Sequence, residues 1–229
     1  MSNYENMILY QALYHLNQKI ENSINDIEIK ESLPLQLNIC GGFALMLHNI
    51  RNDPNNRTDI DYIGPALSPN IQNLIYEIGQ ELDLPKNWLN NDVLLSDSTL
   101  EDFEKTTGEL KFQNVIQFSQ IHISIPSKED LLRMKVIAID TSLMGMELGG
   151  DFSRLKDFED VRLLMEDLQF DINDIEMKMD EYIQDPLTLD LIDFYFDHQN
   201  ISTYENKTYA ELEQYVYEQN ALFLAELEL

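Results

Sequence analysis

The stretch that most constrains the fold of this chain runs from Leu37 to Ile63 and reads LNICGGFALMLHNIRNDPNNRTDIDYI. Its first part, Leu37–Cys40, is short and apolar, which predicts a buried strand. Gly41 and Gly42 end that strand, and the apolar segment that follows, residues 43–50, has helical spacing. The stretch therefore predicts a strand, a tight turn and a helix in immediate succession.

The second half of the stretch, Arg57–Ile63, alternates acidic and apolar residues and predicts another strand. Successive side chains of a strand point to opposite faces, so Asp59 and Asp61 share one face, while Ile60 and Tyr62 share the other. Two carboxylates side by side repel each other, and a bound cation or a retained proton must compensate. Oxygen-only ligands favour magnesium or manganese as that cation.

The two glycines suit a phosphate group, because a backbone without Cβ atoms can approach a ligand closely. The start of the following helix also offers N–H groups and a positive dipole end. An acidic pair facing such a turn is what a nucleoside triphosphate with magnesium requires. The plainer interpretation is a buried strand, a turn and a solvated acidic edge, since neither half is specific alone. The ordered combination favours a phosphate and metal site.

The segments GGFALMLH and RTDIDYI resemble the nucleotidyltransferase superfamily, whose signature is a Gly-Gly or Gly-Ser turn followed by an acid-x-acid strand. More narrowly, the chain is similar to bacterial proteins of unknown role grouped near the AbiEii-type toxin nucleotidyltransferases. Three further segments carry this narrower resemblance: Trp88–Asn90, Leu131–Lys135 and Lys156–Asp160. The matching pieces fall within residues 1–170, and the rest of the chain carries no such motif.

The resemblance implies an α/β fold of the nucleotidyltransferase type, with a small mixed sheet flanked by helices. It places a nucleotidyltransferase-like domain at residues 1–170 and leaves a C-terminal helical region at residues 171–229. The implied activity is transfer of a nucleoside monophosphate from a triphosphate to an acceptor hydroxyl, with Mg²⁺ or Mn²⁺. Asp59 and Asp61 are then the catalytic metal ligands, and the residues that contact the triphosphate are Gly41, Gly42, Arg57, Thr58 and Lys135.

One expected part of the family pattern is missing. A third carboxylate usually comes from a strand in the region of residues 120–125, which here reads QIHISI. His122 and Ser124 alternate with isoleucines and are expected to share a face. Asp92 or Glu109 could substitute for the missing acid. Two alternative functions follow: a catalytically inactive module that binds nucleotide or a partner, and the toxin of a toxin–antitoxin pair that modifies transfer RNA.

The net charge of −27, from 42 acidic and 15 basic residues, opposes non-specific binding to nucleic acid or to an anionic membrane. A transfer RNA partner would therefore need a local basic strip, whereas a basic antitoxin protein would suit the overall charge. Bases do cluster along one part of the chain, at Lys128, Arg133, Lys135, Arg154, Lys156 and Arg162.

The chain contains no apolar run long enough for a transmembrane helix and no secretory signal, so a cytoplasmic protein without a membrane partner is expected. Cys40 is the one cysteine, which excludes an internal disulfide, and its apolar neighbours predict a buried side chain.

Several smaller expectations concern single side chains. Trp88 is interpreted as filling the edge of the core, with Asn90, Asn91 or Asp92 lining the pocket as the alternative. Lys135 either reaches a phosphate or pairs with an acid, for which Asp157 is the expected partner. Lys156 and Asp160 are spaced for a surface pair on one helix.

Hydrophobic periodicity also predicts the regular elements. Residues 109–118 and 120–125 are expected to be strands, and residues 141–150 a Met- and Gly-rich connector that lies over a pocket. The predicted helices span residues 4–26, 69–82, 127–139, 154–168, 174–184, 186–198 and 207–227.

Overall fold

The computed structural model describes residues 7–23, 33–52, 59–91, 104–105, 107–147, 155–198 and 207–227. The chain divides into two compact units, Met1–Leu131 and Leu132–Leu229. The predicted boundary at residue 170 thus lies inside the second unit, and as a limit of the nucleotidyltransferase-like domain it stays a prediction. None of the helices in these described ranges is long and apolar enough to cross a membrane.

The first unit is built on a five-stranded mixed sheet, which confirms the predicted α/β class. The strand order is β3-β2-β1-β5-β4, with β1 antiparallel to β2 and parallel to β5. Strand β3 runs parallel to β2, and β4 runs antiparallel to β5. The elements are α1 (Ile8–Asn22), β1 (Leu35–Ile39), α2 (Gly41–Leu47), β2 (Ile60–Ile63), α3 (Pro69–Leu82), β3 (Leu89–Asn90), β4 (Phe112–Gln117) and β5 (Ile121–Pro126).

The sheet has one apolar and one polar face because its central strands alternate. Side chains on the apolar face are buried, and they include Leu35, Leu37, Ile39, Ile60, Tyr62, Ile121, Ile123 and Ile125. The opposite face carries polar side chains that stay partly or fully exposed: Gln36, Asn38, Asp61, His122 and Ser124. Burial of the apolar face fixes the register, and the register in turn sets which polar groups are neighbours.

Helix α3 begins as its sequence predicts, with Pro69 in the first turn and the Ser68 hydroxyl accepting a hydrogen bond from the Ile71 amide at 3.4 Å. The Trp88 side chain is completely buried, and its indole N–H donates to the Ile75 carbonyl at 2.7 Å. The expected core role of Trp88 is therefore confirmed, since its apolar ring is enclosed and its one polar atom is satisfied.

The second unit is helical, as predicted for the C-terminal region. Helix α4 begins in the first unit, where Ser127 caps it: the Asp130 amide donates to the Ser127 hydroxyl at 3.1 Å. The elements are α4 (Lys128–Glu147), α5 (Leu155–Leu168), α6 (Ile172–Met179), a short 3₁₀ turn (Asp180–Tyr182), α7 (Leu187–His198) and α8 (Tyr209–Leu227).

The expected connector at residues 141–150 is wrong over its described part, because α4 continues to Glu147. Leu143 and Met146 are buried one helical turn apart, so packing favours continuation of the helix. Gly145, which suggested a break, has none of the described residues within 4 Å of its Cβ position, so its lack of a side chain leaves no packing contact unmade among them. Residues 148–150 lie outside the described part of the chain.

A buried carboxylate of α4 holds the start of α7. Asp140 is almost fully buried, and its Oδ1 accepts hydrogen bonds from the Asp185 amide at 2.8 Å and the Thr188 hydroxyl at 2.8 Å. The Gln184 amide donates to the same carboxylate at 3.1 Å. Asp185 in turn accepts from the Tyr209 hydroxyl at 3.2 Å, so the contacts join α4, α7 and α8.

We expect Asp140→Asn to lower the free energy of unfolding by about 1.5–3 kcal/mol, because the amide replaces one accepting oxygen with a donor that faces other donors. Urea denaturation followed by circular dichroism measures the change. Asp171→Asn is the matched control: Asp171 caps α6 from an exposed position, where asparagine caps equally well. Equal losses in the two variants would contradict the account of Asp140.

Candidate functional site

The end of β1, the start of α2 and the acidic strand β2 meet at one point. Ile39 is in register with Tyr62, and the Cys40 amide donates to the Asp61 carbonyl at 2.9 Å. Asp61 therefore lies directly beside the turn that holds the two glycines. The neighbourhood that the sequence predicts, an acidic strand beside a diglycine, is present in the fold.

Gly41 makes the closest approach to an acidic side chain. Its φ is +65°, a conformation that residues with a Cβ rarely adopt, and a Cβ there would lie only 2.8 Å from Asp61 Oδ2. The backbone conformation and the nearby carboxylate thus both require glycine. The Asp61 carboxylate occupies the space that a side chain at residue 41 would need.

Gly42 has a basic neighbour. A Cβ at residue 42 would lie 3.3 Å from Nη1 of Arg51, so the guanidinium sits against the second glycine. Asn49 ends α2 with a φ of +60° and turns the chain back, and the Arg51 amide then donates to the Leu45 carbonyl at 3.4 Å. From there the Arg51 side chain reaches back to the first turn of the helix.

Arg51 is a candidate site residue that sequence reasoning missed. The signal was Asn49 near the end of the apolar segment, because an asparagine can end a helix in the left-handed conformation and reverse the chain. Such a reversal brings the next basic residue alongside the helix, but its reach depends on the turn geometry.

Asp59 and Asp61 are the two acids that the sequence predicts as metal ligands. Asp61 is half-buried within β2, and Asp59 is exposed immediately before that strand. Within the described ranges no group of three or more His, Cys, Asp or Glu side chains is arranged to hold a metal. Two carboxylates still fit Mg²⁺ or Mn²⁺, because these ions commonly take one or two protein carboxylates and fill their remaining positions with phosphate oxygens and water.

Asn90 is the neighbour of Asp61 on the other side. The parallel strands β2 and β3 place Asp61 in register with Asn90, so both side chains share the polar face. The Asn90 amide group donates to the Asn87 carbonyl at 3.3 Å, and that of Asn91 donates to the Gly64 carbonyl at 3.4 Å. Asn90 is thus placed beside the acidic pair, while Asp92 lies outside the described residues.

Strand β5 carries histidine and serine where a third carboxylate was expected. His122 and Ser124 are in register with Gln36 and Asn38 of β1, which confirms that they share the polar face. The His122 ring lies between two glutamine side chains, 3.1 Å from Gln36 Nε2 and 3.3 Å from Gln117 Nε2. The alternative acid Glu109 is exposed ahead of β4.

Lys135 forms a buried ionic cluster in the second unit. Its ammonium group pairs with Asp157 and, at 2.8 Å, with Asp160, and both carboxylates are fully buried. Burial lowers the pKa of Lys135, but the charges and hydrogen bonds of the two aspartates outweigh that effect and raise the pKa above its usual value. The expected Lys135–Asp157 pair is confirmed, and contact of Lys135 with a phosphate stays a prediction.

The expected surface pair between Lys156 and Asp160 is wrong. Asp160 is buried and binds Lys135, whereas Lys156 is exposed on α5. The i,i+4 spacing shows only that Lys156 and Asp160 are close enough to pair. Asp160 lies on the face of α5 that packs inward, and it therefore pairs with Lys135 instead. Of the other residues expected to contact the triphosphate, Arg57 and Thr58 lie outside the described part of the chain.

The predicted basic strip is partly neutralised within the second unit. The Arg162 guanidinium pairs with Glu159 at 2.8 Å and also with Glu166, and these carboxylates raise its pKa. Lys135 is held by two aspartates in the same unit. These two bases therefore contribute little net positive charge for an RNA phosphate backbone.

Comparison with protein-family models, with curated proteins and with solved structures found no match to this chain.

Gly41→Ala should destabilise the protein by about 1–3 kcal/mol, since it forces a Cβ into a left-handed backbone position and against Asp61. Gly42→Ala is the matched control: that residue has no such backbone constraint, and within the described ranges the neighbour close to its Cβ position is the end of the flexible Arg51 side chain. Its stability should stay within about 1 kcal/mol of the wild type. Urea denaturation compares the two, and an equal or larger loss in Gly42→Ala would contradict the assignment.

Proposed function

We propose that the chain binds a nucleoside triphosphate with Mg²⁺ at Asp59, Asp61 and the Gly41–Gly42 turn, and transfers its nucleoside monophosphate to an acceptor hydroxyl. The observation that carries the proposal is the position of the Asp61 carboxylate, whose Oδ2 lies 2.8 Å from the position that a Cβ of Gly41 would take. In this arrangement, an acidic side chain lies within a few ångströms of a stretch of backbone that carries no side chains.

A metal–polyphosphate ligand has two parts that this arrangement suits. The acidic pair attracts a cation, and its mutual repulsion is relieved when the cation is bound. The diglycine turn also opens helix α2, and a phosphate that shares its cation with Asp61 would reach the N–H groups at the start of this helix. Each feature is common alone, and their contact across β1 and β2 supports the combined function.

The proposed reaction is a substitution at phosphorus. The acceptor oxygen forms a bond to the α-phosphorus while the bond to the bridging oxygen breaks, pyrophosphate leaves with that oxygen, and the hydroxyl proton is released to water. A bound magnesium ion supplies charge neutralisation for the phosphates. Gly41 and Gly42 admit the phosphate chain, Asp59 and Asp61 anchor its cation, and Asn90 limits how the ligand can lie beside Asp61. Orientation and charge compensation supply most of the catalysis in such a transfer.

A second function, nucleotide binding without turnover, is favoured by one observation. The polar face of β5 presents His122 and Ser124 in place of an acid that would help to activate the acceptor hydroxyl. The His122 ring is also flanked by two glutamine side chains. The third possibility, a toxin acting on transfer RNA, gains no comparable support, because two bases of the expected strip are paired with acids.

The test incubates the protein with each labelled triphosphate, Mg²⁺ or Mn²⁺, and an extract that contains RNA and protein acceptors. The wild type should transfer label, and the double variant Asp59→Ala/Asp61→Ala should lose at least 100-fold in transfer rate, as expected on the order of 10² for removal of a main electrostatic group. Glu213→Ala/Glu218→Ala removes two exposed charges from α8 and should leave transfer unchanged.

The outcomes separate the candidate functions. Transfer that persists in the Asp59 and Asp61 variant would contradict the assigned site. Metal-dependent binding of a triphosphate without transfer to any acceptor would favour the inactive binding module. Absence of both binding and transfer in the folded wild type would overturn both functions.

A further inference from the structure

A block of uncharged polar side chains lies on the polar face of three neighbouring strands, β1, β5 and β4. Gln36 of β1 is in register with His122 of β5, and Asn38 is in register with Ser124. Strand β4 continues both rows, because its residues pair with the same two positions of β5. Side chains that are paired in this way share one face of the sheet. We call this surface the amide face, and it consists of Gln36, Asn38, Asn114, Gln117, His122 and Ser124.

The amide face differs in charge from the rest of the chain. Charged residues make up 25% of the sequence and give a net charge of −27, yet none of these six residues is Asp, Glu, Lys or Arg. Each of the six side chains is partly or fully exposed. The face therefore offers hydrogen bonds to a ligand without offering a full charge of either sign.

The hydrogen-bonding groups of the amide face are only partly used within the protein. The two ring nitrogens of His122 lie 3.1 Å from Gln36 Nε2 and 3.3 Å from Gln117 Nε2, which holds these three side chains in place. The side chains of Asn38 and Ser124 are half-buried and make no hydrogen bond to any other residue in the described ranges. The polar groups of a ligand can therefore replace water at these two positions.

The amide face adjoins the proposed metal site. Because the Cys40 amide donates to the Asp61 carbonyl, Asp61 lies opposite Cys40, two residues beyond Asn38 along β1. Two residues of a strand span about 7 Å, and residues two apart point to the same face. A small molecule seated on Asn38 and Ser124 would therefore extend toward a phosphate bound beside Asp61.

We infer that the amide face binds the acceptor of the proposed transfer, and that this acceptor is an uncharged small molecule with several hydroxyl groups. The inference rests on the proposed function and adds to it the binding surface and the chemical class of the acceptor. One acceptor hydroxyl oxygen forms the bond to the α-phosphorus, pyrophosphate leaves, and the hydroxyl proton is released to water. The other hydroxyl groups bind to the amide face.

The chemistry of the side chains supports this class of acceptor. An amide carries a donor and an acceptor side by side, and a hydroxyl group also both donates and accepts. Four of the six side chains are amides, so neighbouring hydroxyl groups of one ligand can each find a complementary partner. A nucleic-acid acceptor would instead need basic side chains for its phosphates. An ionic group bound here would lose hydration without gaining an opposite charge from this face.

The first test measures binding to the full chain without nucleotide. Glucose, glucose 6-phosphate and glucosamine are the probes, since they share one ring and differ in charge, and myo-inositol is a second neutral probe. NMR titration follows the side-chain amide resonances of the face, with that of Asn38 assigned by its loss in Asn38→Ala. Both neutral probes should give saturating shifts of these resonances.

The two charged sugars should bind at the same resonances about threefold more weakly or less tightly still, because their charge must be partly desolvated there. Absence of saturating shifts with both neutral probes would overturn the inference. Binding of glucose 6-phosphate or glucosamine at the face as tightly as glucose would overturn the uncharged class of acceptor.

The second test uses labelled transfer and separates the acceptors of the extract into RNA, protein and those small molecules that pass both an anion and a cation exchanger. Label should appear in this neutral fraction. Asn38→Ala/Ser124→Ala should raise the amount of neutral fraction needed for half-maximal transfer by about tenfold, as expected for the loss of two neutral hydrogen bonds. The KM for the triphosphate should stay within about twofold, since these side chains do not contact it.

Asn73→Ala is the matched control, because it removes an exposed amide from α3 in the same unit and should leave both quantities unchanged. Urea denaturation shows whether each variant is folded, and Ser124→Ala alone replaces the double variant if the latter is unstable. An equal effect of Asn73→Ala, or an unchanged requirement for the neutral fraction in the folded Ser124 variants, would overturn the inference.

The outcomes separate the inference from the function on which it rests. Label on RNA or protein and not on neutral molecules would leave the transfer reaction standing and overturn the inference. A wild type that binds triphosphate but transfers label to none of the three fractions would overturn the acceptor role of the face. A wild type that binds no triphosphate would overturn the proposed function, and the acceptor role with it, whatever the sugars do.

Discussion

The contact between Asp61 and Gly41 is the constraint on which the candidate site depends. Gly41 has a φ of +65°, and the carboxylate fills the space beside its Cα, so a side chain at residue 41 would disturb both the backbone and the acid. Pairing of β1 with β2 holds the two segments at this distance, and the buried apolar face of the sheet fixes that pairing. The position of an acidic group at the turn is thus a consequence of core packing.

The acidic side chains discussed in the two compact units differ in their burial and in the groups that bind them. In the first unit, Asp61 is half-buried on the polar face of the sheet, where a ligand can reach it. In the second unit, Lys135 compensates Asp157 and Asp160, and backbone amides and a hydroxyl bind Asp140. These three aspartates of the second unit hold its helices together, because separating them from their partners would leave a buried charge without compensation.

Features that depend on local sequence were predictable. The strand, the glycine turn and the helix after it follow from hydrophobic patterning, and the Ser68 cap and the burial of Trp88 follow from short-range signals. Contacts that depend on how distant segments pack were not predictable in the same way. The reach of Arg51 to Gly42 follows from a chain reversal, and the burial of Asp160 depends on which face of α5 turns inward. The triphosphate-binding role of Arg57 and Thr58 stays a prediction, since these residues lie outside the described ranges.

The most direct test of the central claim is the location of a bound metal. Crystals grown with Mn²⁺ and a non-hydrolysable nucleoside triphosphate analogue allow the manganese to be identified by its anomalous scattering. The account predicts manganese bound by the carboxylates of Asp59 and Asp61, with the phosphates of the analogue against Gly41 and Gly42. Manganese and phosphates bound together elsewhere on the protein, with this turn left empty, would contradict it.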